Sequence, residues 1–418
     1  MRILLATMGS TGDLQPFLAL GRRLLDEGHD VRLTAQDGHA GRCAEVGVPF
    51  ESAGIGEQAS ATLTELMPDV LAEHDPVKEL SLVTAATARI QADALPALRG
   101  PVRDSDLVLH SPLAIGAAVA ARAEGVPDVS VTHTWPLEPT RAYGPSNVDR
   151  GRILNGLAWW VARRVIGPAT DPALNTVVTG GGLPRWKDVL FWGRRSALLE
   201  LVPISPAVLR PDPHWAATTL LTGYWFLAEP EYTPSPELSA FLATARPLVI
   251  GFGSTAGYDV PVLARTVADA VRGLGYPVVI QGDFLAETGV DPGPDVFLAG
   301  HVPHDWLFAR AAGVVHHGGA GTTAAAFRAG VPQAIISHQG DQPQWGRRLV
   351  QLGVGPEHCP HDRLDARWLS STLRTLAEDA AMADRARALG SVVSAEDGTG
   401  EAVRALEKVH SGTGRGGR

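Results

Sequence analysis

Cysteine is nearly absent from this chain: its 418 residues carry two, Cys43 and Cys359, far apart in sequence. That excludes a disulfide framework and favours a reducing, cytoplasmic home. No uninterrupted apolar run is long enough to span a bilayer. Met1-Arg2-Ile3-Leu4-Leu5-Ala6-Thr7 is too short an apolar stretch, and too soon followed by glycine, for a signal peptide, so no leader is expected. Positive charge is in deficit, with 36 Lys and Arg against 45 Asp and Glu, a net charge of −9. A nucleic-acid partner is therefore not expected, and phosphates would be met by local donors, not by a basic face. The length allows two domains with real cores.

What is present is concentrated in residues 313–323: Gly313-Val314-Val315-His316-His317-Gly318-Gly319-Ala320-Gly321-Thr322-Thr323. A short apolar strand runs into histidines, small residues and hydroxyls, then into the helix former Ala324-Ala325-Ala326-Phe327. Glycines let backbone approach a ligand closely. The first turn of a helix has unpaired N–H groups and positive partial charge. Such a turn suits a phosphate, with His317 as an added donor.

Each half of the chain opens alike. Ile3-Leu4-Leu5-Ala6 leads into Gly9-Ser10-Thr11-Gly12-Asp13, and Leu248-Val249-Ile250 leads into Gly251-Phe252-Gly253-Ser254-Thr255. A helical pattern follows each. Gly28 and Gly275 then read as helix stops before second strands at Val31-Arg32-Leu33 and Val278-Val279-Ile280. Further strands are expected at 106–109 and 129–131 in the first half, and at 296–298, 314–315 and 334–336 in the second. Strands alternating with helices imply parallel sheets covered on both faces. The expected fold is α/β: two doubly wound, Rossmann-like parallel-sheet domains. Ligands bind outside the carboxyl ends of such strands, where Asp13 and the His317 segment both fall. If the domains face each other, both sites open into one cleft. The proline-rich stretch 211–246 is expected to link a first domain, 1–210, to a second, 247–395. Residues 396–418 remain as a C-terminal helix and flexible tail, and the helical pattern at 371–408 is expected to pack back on the first domain.

These motifs make the chain resemble the nucleotide-sugar glycosyltransferases of the GT-B fold. The branch is that of bacterial antibiotic glycosyltransferases and sterol glucosyltransferases. The anchors are Gly9 to Phe17, Gly223-Tyr224-Trp225-Phe226, Gly251 to Ser254, His316 to Thr323, and Gly340-Asp341-Gln342-Pro343-Gln344-Trp345-Gly346-Arg347-Arg348. The resemblance implies that the first domain holds the acceptor and the second the nucleotide sugar. It implies that His317 and the backbone of Gly319, Ala320, Gly321 and Thr322 bind the diphosphate, with Ser254 reaching the same phosphates. His301 and Val302 would receive the nucleobase, Val302 through its backbone. Asp341 and Gln342 would hold sugar hydroxyls, and Asp13 would be the catalytic base. Plant relatives often place a histidine near that point with an aspartate behind it. No histidine follows the first strand here, so His133 is a candidate helper. Thr11, His133 and Trp135 are assigned to the acceptor side.

The chemistry wants such residues. A carboxylate can take the acceptor hydroxyl's proton as the new C–O bond forms. Pre-aligned N–H groups and His317 can hold the charge of the leaving diphosphate. No Asp-x-Asp pair lies in these segments, so neither a metal nor another cofactor is expected beside the nucleotide-sugar co-substrate. One displacement opposite the leaving group would invert the anomeric carbon. The donor stays open between uridine-diphosphate glucose and a thymidine-diphosphate deoxysugar. The acceptor is expected to be large and apolar: a sterol, macrolide, polyketide or terpenoid.

Other readings remain. Asp13 alone also fits a helix cap. Gly251-x-Gly253-x-x-Ala256 after a strand fits a dinucleotide fingerprint, which would make the chain an NAD(P)-dependent oxidoreductase. A non-catalytic helper subunit is a third reading, although Asp13 with an intact Asp341-Gln342 pair argues against it. The apolar stripe at 153–166 reads as a packed helix, as a wall of the acceptor pocket, or as a face for peripheral membrane contact.

Overall fold

The structure is a computed structural model that describes residues 1–56, 70, 73, 75–228, 231–243, 245–253, 259–338 and 340–413. It has two compact units, Met1–Ala228 with Glu396–Arg418, and Glu229–Ala395.

The first unit is built on β1 (Arg2–Ala6), β2 (Asp30–Thr34), β3 (Leu107–His110), β4 (Asp128–Val131), β5 (Glu200–Val202) and β6 (Thr219–Leu221). They lie in the order β2-β1-β3-β4-β5-β6, and every pairing is parallel. Alternate residues point to opposite faces. Ile3, Leu5, Val31, Leu33 and Leu107 bury against the helix Thr11–Asp26 and against Ala402, Val403 and Leu406 of the helix Gly398–Thr413. Leu4, Ala6 and Val108 bury on the other face, against the helices Pro76–Arg103, Ile115–Glu124 and Arg152–Gly180.

The second unit holds β7 (Leu248–Gly251), β8 (Val278–Gln281), β9 (Val296–Ala299), β10 (Gly313–His316), β11 (Gln333–Ser337) and β12 (Cys359–Pro360). Their order is β12-β11-β10-β7-β8-β9, again all parallel. Leu248, Ile250, Val278 and Ile280 face the helices Val260–Val271 and Ala366–Glu378. Val249, Val279 and Val314 face Leu307, Phe308 and Ala326. Both sheets are therefore covered on both faces, as near-continuous Val/Ile/Leu strands require.

Strand order positions the sites. In each sheet the chain first steps to one side of its opening strand and then crosses to the other. The switch points fall between β1 and β3 and between β7 and β10. Loops leaving the carboxyl ends of those strands form the natural ligand crevices.

The domain limits need correction. Residues 211–228 are not linker: they include β6, and the chain changes unit at Ala228. The three residues of β6, Thr219–Leu221, are too few to carry a readable periodicity. The rest of the expected linker belongs to the second unit, where Pro236–Leu242 is a helix whose Ser235 side chain accepts from Leu238 N. The helical pattern at 371–408 divides. Ala366–Glu378 and Ala380–Ser394 belong to the second unit, and only Gly398–Thr413 returns to the first. Ser411 to Thr413 continue that helix and are not flexible tail; residues 414–418 lie outside the described residues.

Candidate functional site

The turn after β1 presents Asp13 at the start of the helix Thr11–Asp26. Ser10 N and Ser10 Oγ donate to Asp13 Oδ2 at 2.7 and 2.9 Å. The helix-cap reading of Asp13 is therefore correct as far as it goes. The other oxygen, Oδ1, lies 2.9 Å from His133 Nε2, across 120 residues of sequence. An ionised carboxylate can only accept, so His133 carries its proton on Nε2. His133 Nδ1 is buried with no hydrogen-bond partner. The Asp13 side chain keeps one fifth of its surface exposed, 20%, against 6% for His133.

Burial opposes ionisation of Asp13. Hydrogen bonds from His133 and Ser10, with the charge of His133, outweigh it and hold the carboxyl below the ordinary aspartate range. Gly9 makes room: a Cβ there would lie 2.3 Å from Asp13 Oδ2. The Gly9 backbone is pinned by Gln36, whose Oε1 accepts from Gly9 N at 3.1 Å and whose Nε2 donates to Gly9 O at 3.0 Å. Thr11 is exposed in the first turn. Trp135 is buried against Tyr143, ring centroids 5.9 Å apart, so it backs this wall instead of fronting it.

The second constellation lies at the other switch point. His316 closes β10 and is fully buried. Gly318 N donates to its Nδ1 at 3.0 Å, and its Nε2 lies 2.8 Å from Gln333 Oε1. The pairings leave the proton on Nε2. Burial pushes this imidazole down to about 3, so it is neutral and shapes the turn. His317 is the first residue beyond β10. Its ring is flanked by glycines: a Cβ on Gly319 would stand 2.5 Å from His317 Nε2, and one on Gly253 would stand 3.2 Å from Cε1. His317 Nδ1 is buried without a partner, and burial lowers its pKa.

Gly319 is the N-cap of the helix Ala320–Ala329 and no side chain caps it, so no cap serves the first-turn N–H groups of Ala320, Gly321 and Thr322. A Cβ on Gly318 would meet Gln342 Cβ at 3.1 Å, so Gln342 adjoins this turn. Gln342 Oε1 accepts from His338 N at 2.6 Å. Asp341 Oδ2 accepts from the buried Trp345 Nε1 at 2.7 Å.

His301 is exposed and Val302 buried at the carboxyl end of β9. The Val302 carbonyl already accepts from Gln281 Nε2, so a nucleobase pairing there shares that oxygen or uses the N–H. Ser254 lies outside the described residues, as does Ala256 of the dinucleotide fingerprint.

Sequence reasoning passed over several neighbours. Gln36 and Gln281 act from β-strand ends with no motif to mark them. His304 and His338 sit within electrostatic reach of His317, and both are pushed down to about 4, first by burial and then by neighbouring imidazoles. His304 closes the very tetrapeptide that His301 opens, and that repeat was the available signal.

Residues 3–127 match the glycosyltransferase family 28 N-terminal domain. Residues 265–409 match the erythromycin biosynthesis protein CIII-like C-terminal domain. O-mycaminosyltylonolide 6-deoxyallosyltransferase of Streptomyces fradiae is 32% identical over 98% of this chain and 97% of its own. Vancomycin aglycone glucosyltransferase of Amycolatopsis orientalis is 33% identical over 94% and 96%. Sterol 3-beta-glucosyltransferase of Debaryomyces hansenii is 29% identical over 96% of this chain, which corresponds to 26% of that longer protein. Among solved structures, the glycotransferase of kitacinnamycin superposes with a TM-score of 0.73 at 20% identity over 98% of both chains. The glycosyltransferase VinC, in complex with dTDP, superposes at 0.70 and 20% identity over 98% of this chain and 100% of its own. At such identities the superpositions speak for the fold.

Proposed function

Since the chain belongs to the antibiotic and sterol branch of the GT-B glycosyltransferases, we propose that it is an inverting, metal-independent O-glycosyltransferase. It moves a hexose from a nucleoside-diphosphate sugar to a hydroxyl of a lipophilic small molecule. Macrolide, polyketide, sterol and terpenoid hydroxyls fit this class, and the names of the relatives give O-mycaminosyltylonolide, vancomycin aglycone and sterol as what they act on.

One observation carries the reading: an uncapped helix N-terminus and the His317 ring, whose Nε2 would stand 2.5 Å from a Cβ on Gly319, come together at the carboxyl end of β10, beside the β7/β10 switch point. Donors aimed at developing charge are the largest single contribution in many active sites. The acceptor oxygen attacks the anomeric carbon, and the bond from that carbon to the diphosphate oxygen breaks. The nucleoside diphosphate leaves with the bonding pair, held by His317 and the N–H groups of Gly319 to Thr322. The hydroxyl proton passes to Asp13.

Asp13 is a weak base, because three donors already stabilise its charged form. Its contribution is alignment: it is ionised across the neutral range and accepts the hydroxyl's hydrogen bond. The proton transfers only as the C–O bond makes that hydroxyl strongly acidic. Asp341 and Gln342 bind adjacent sugar hydroxyls, and His301 and Val302 take the nucleobase. No metal enters this scheme. Among the described residues, no group of three or more His, Cys, Asp or Glu side chains could hold a metal ion.

Family membership displaces the oxidoreductase reading. Calorimetry with uridine and thymidine diphosphates, their sugars and nicotinamide dinucleotides tests the assignment. Binding of the nucleoside diphosphates without the dinucleotides supports it, and the reverse pattern contradicts it.

A further inference from the structure

The helix Arg152–Gly180 has apolar residues on two faces, which a surface helix of a water-soluble domain does not need. One face is accounted for. Asn155, Trp159, Gly167 and Thr170 are buried, and Trp159 Nε1 donates to Tyr143 O at 2.7 Å. The other is bare. Of 13 large apolar side chains exposed among the described residues, six fall between Ile153 and Val165. They recur at helical spacing as Ile153, Leu154, Leu157, Trp160, Val161 and Val165, with Ile153 87% and Trp160 53% exposed.

The charge around this stripe is opposite to that of the chain. Residues 139–165 contain five arginines and one acid, Asp149, in a protein of net charge −9. Arg163 is paired with Asp188. Arg141, Arg150, Arg152 and Arg164 are exposed, and the Arg164 guanidinium lies over the Trp160 ring at 4.9 Å. Beside the stripe opens a basin of about 890 Å³, lined by Ile153, Leu154, Trp160, Arg141, Arg150 and Arg152 among others.

We propose that this face of the first unit docks on an anionic lipid surface, with the apolar stripe at the acyl boundary and the arginines among the headgroups. An apolar helix face ringed by arginine, with tryptophan at the edge, matches the layered polarity of a bilayer interface. A self-complementary dimer would set these arginines against their own copies, which is repulsive. No described helix is long and apolar enough to cross a membrane, so the contact is peripheral. The inference stands on this face alone and does not depend on the reaction proposed above.

The test is vesicle flotation of the full chain. Phosphatidylcholine vesicles containing phosphatidylglycerol are compared with phosphatidylcholine alone, at low and high salt. The wild type floats with anionic vesicles, less at high salt, and stays behind with neutral ones. The triple variant Arg150→Glu, Arg152→Glu, Arg164→Glu loses partitioning by at least roughly fivefold per arginine. The variant Ile153→Ser, Leu157→Ser, Val161→Ser also loses it while keeping the wild-type melting temperature, since these side chains are already exposed. Absence of wild-type flotation overturns the proposal, as does flotation that both variants retain. A wild-type dimer in sedimentation equilibrium that the apolar variant dissolves assigns the face to a second copy and overturns it as well.

Discussion

Replacing His317 with alanine should separate phosphate recognition from every other part of nucleotide binding. The ring sits between Gly253 and Gly319, which have no side chains to move into the gap, and its Nδ1 has no protein partner to lose. The cost should therefore fall on the ligand. A hydrogen bond to a charged group is worth roughly 1.5–3 kcal/mol, about 10- to 150-fold in Kd. Calorimetry should show that loss for the nucleoside diphosphate and almost none for the free nucleoside.

The pH dependence has a fixed sign. Burial holds His317 below its ordinary value in the empty site, so it is neutral near pH 7. A bound diphosphate favours the protonated ring. Binding then takes up a proton, and wild-type affinity rises as pH falls below neutrality. The alanine variant should show a flatter profile. Equal losses for diphosphate and nucleoside would refute direct phosphate contact, and an unchanged pH slope would place the proton elsewhere.

Other outcomes follow from the same geometry. Turnover should survive exhaustive chelation; complete loss that magnesium or manganese restores would contradict the metal-independent account of the diphosphate turn. In competition on one lipophilic acceptor, uridine-diphosphate glucose should outcompete a thymidine-diphosphate deoxyhexose, because Asp341 and Gln342 offer partners to adjacent hydroxyls that a deoxysugar leaves unpaired. Product masses decide this, and preferential deoxyhexose transfer would overturn the donor choice alone. Stability should fall in acid. His304, His316 and His338 titrate near 4, 3 and 4 when folded, against about 6.5 unfolded, so the unfolded chain binds more protons between those values. Their contribution is full above about 6.5 and lost as pH falls towards about 3. Melting temperatures that stay flat from neutral pH to about 4 would contradict the buried, neutral imidazoles.

The fold was legible where strands are buried on both faces. Val278-Val279-Ile280 and Ile3-Leu4-Leu5-Ala6 are short continuous apolar runs bounded by turns, and nothing else fits them. Glu200–Val202 and Thr219–Leu221 went unread because each is three residues long and opens on a polar side chain. The turns after β1 and β10 were legible because glycine, hydroxyl and histidine cluster within a few residues. Their supports were not. Gln36 reaches Gly9 across 27 residues, and Gln281 reaches the Val302 carbonyl across 21. Only the sheet order makes those residues neighbours. His133 was named as a helper, but its 2.9 Å approach to Asp13 is a product of β4 standing two strands from β1.

The central claim is that Asp13 accepts the proton while the β10 turn holds the nucleotide. Single-turnover rates and donor affinity measured together on Asp13→Asn test it most directly. Asparagine keeps one acceptor oxygen and much of the cap, so folding should lose no more than roughly 0.5–2 kcal/mol. Glycosyl transfer should slow by on the order of a hundred- to ten-thousand-fold, with nucleotide-sugar affinity nearly unchanged. Near-normal transfer, or donor binding lost in step with the rate, would contradict the account.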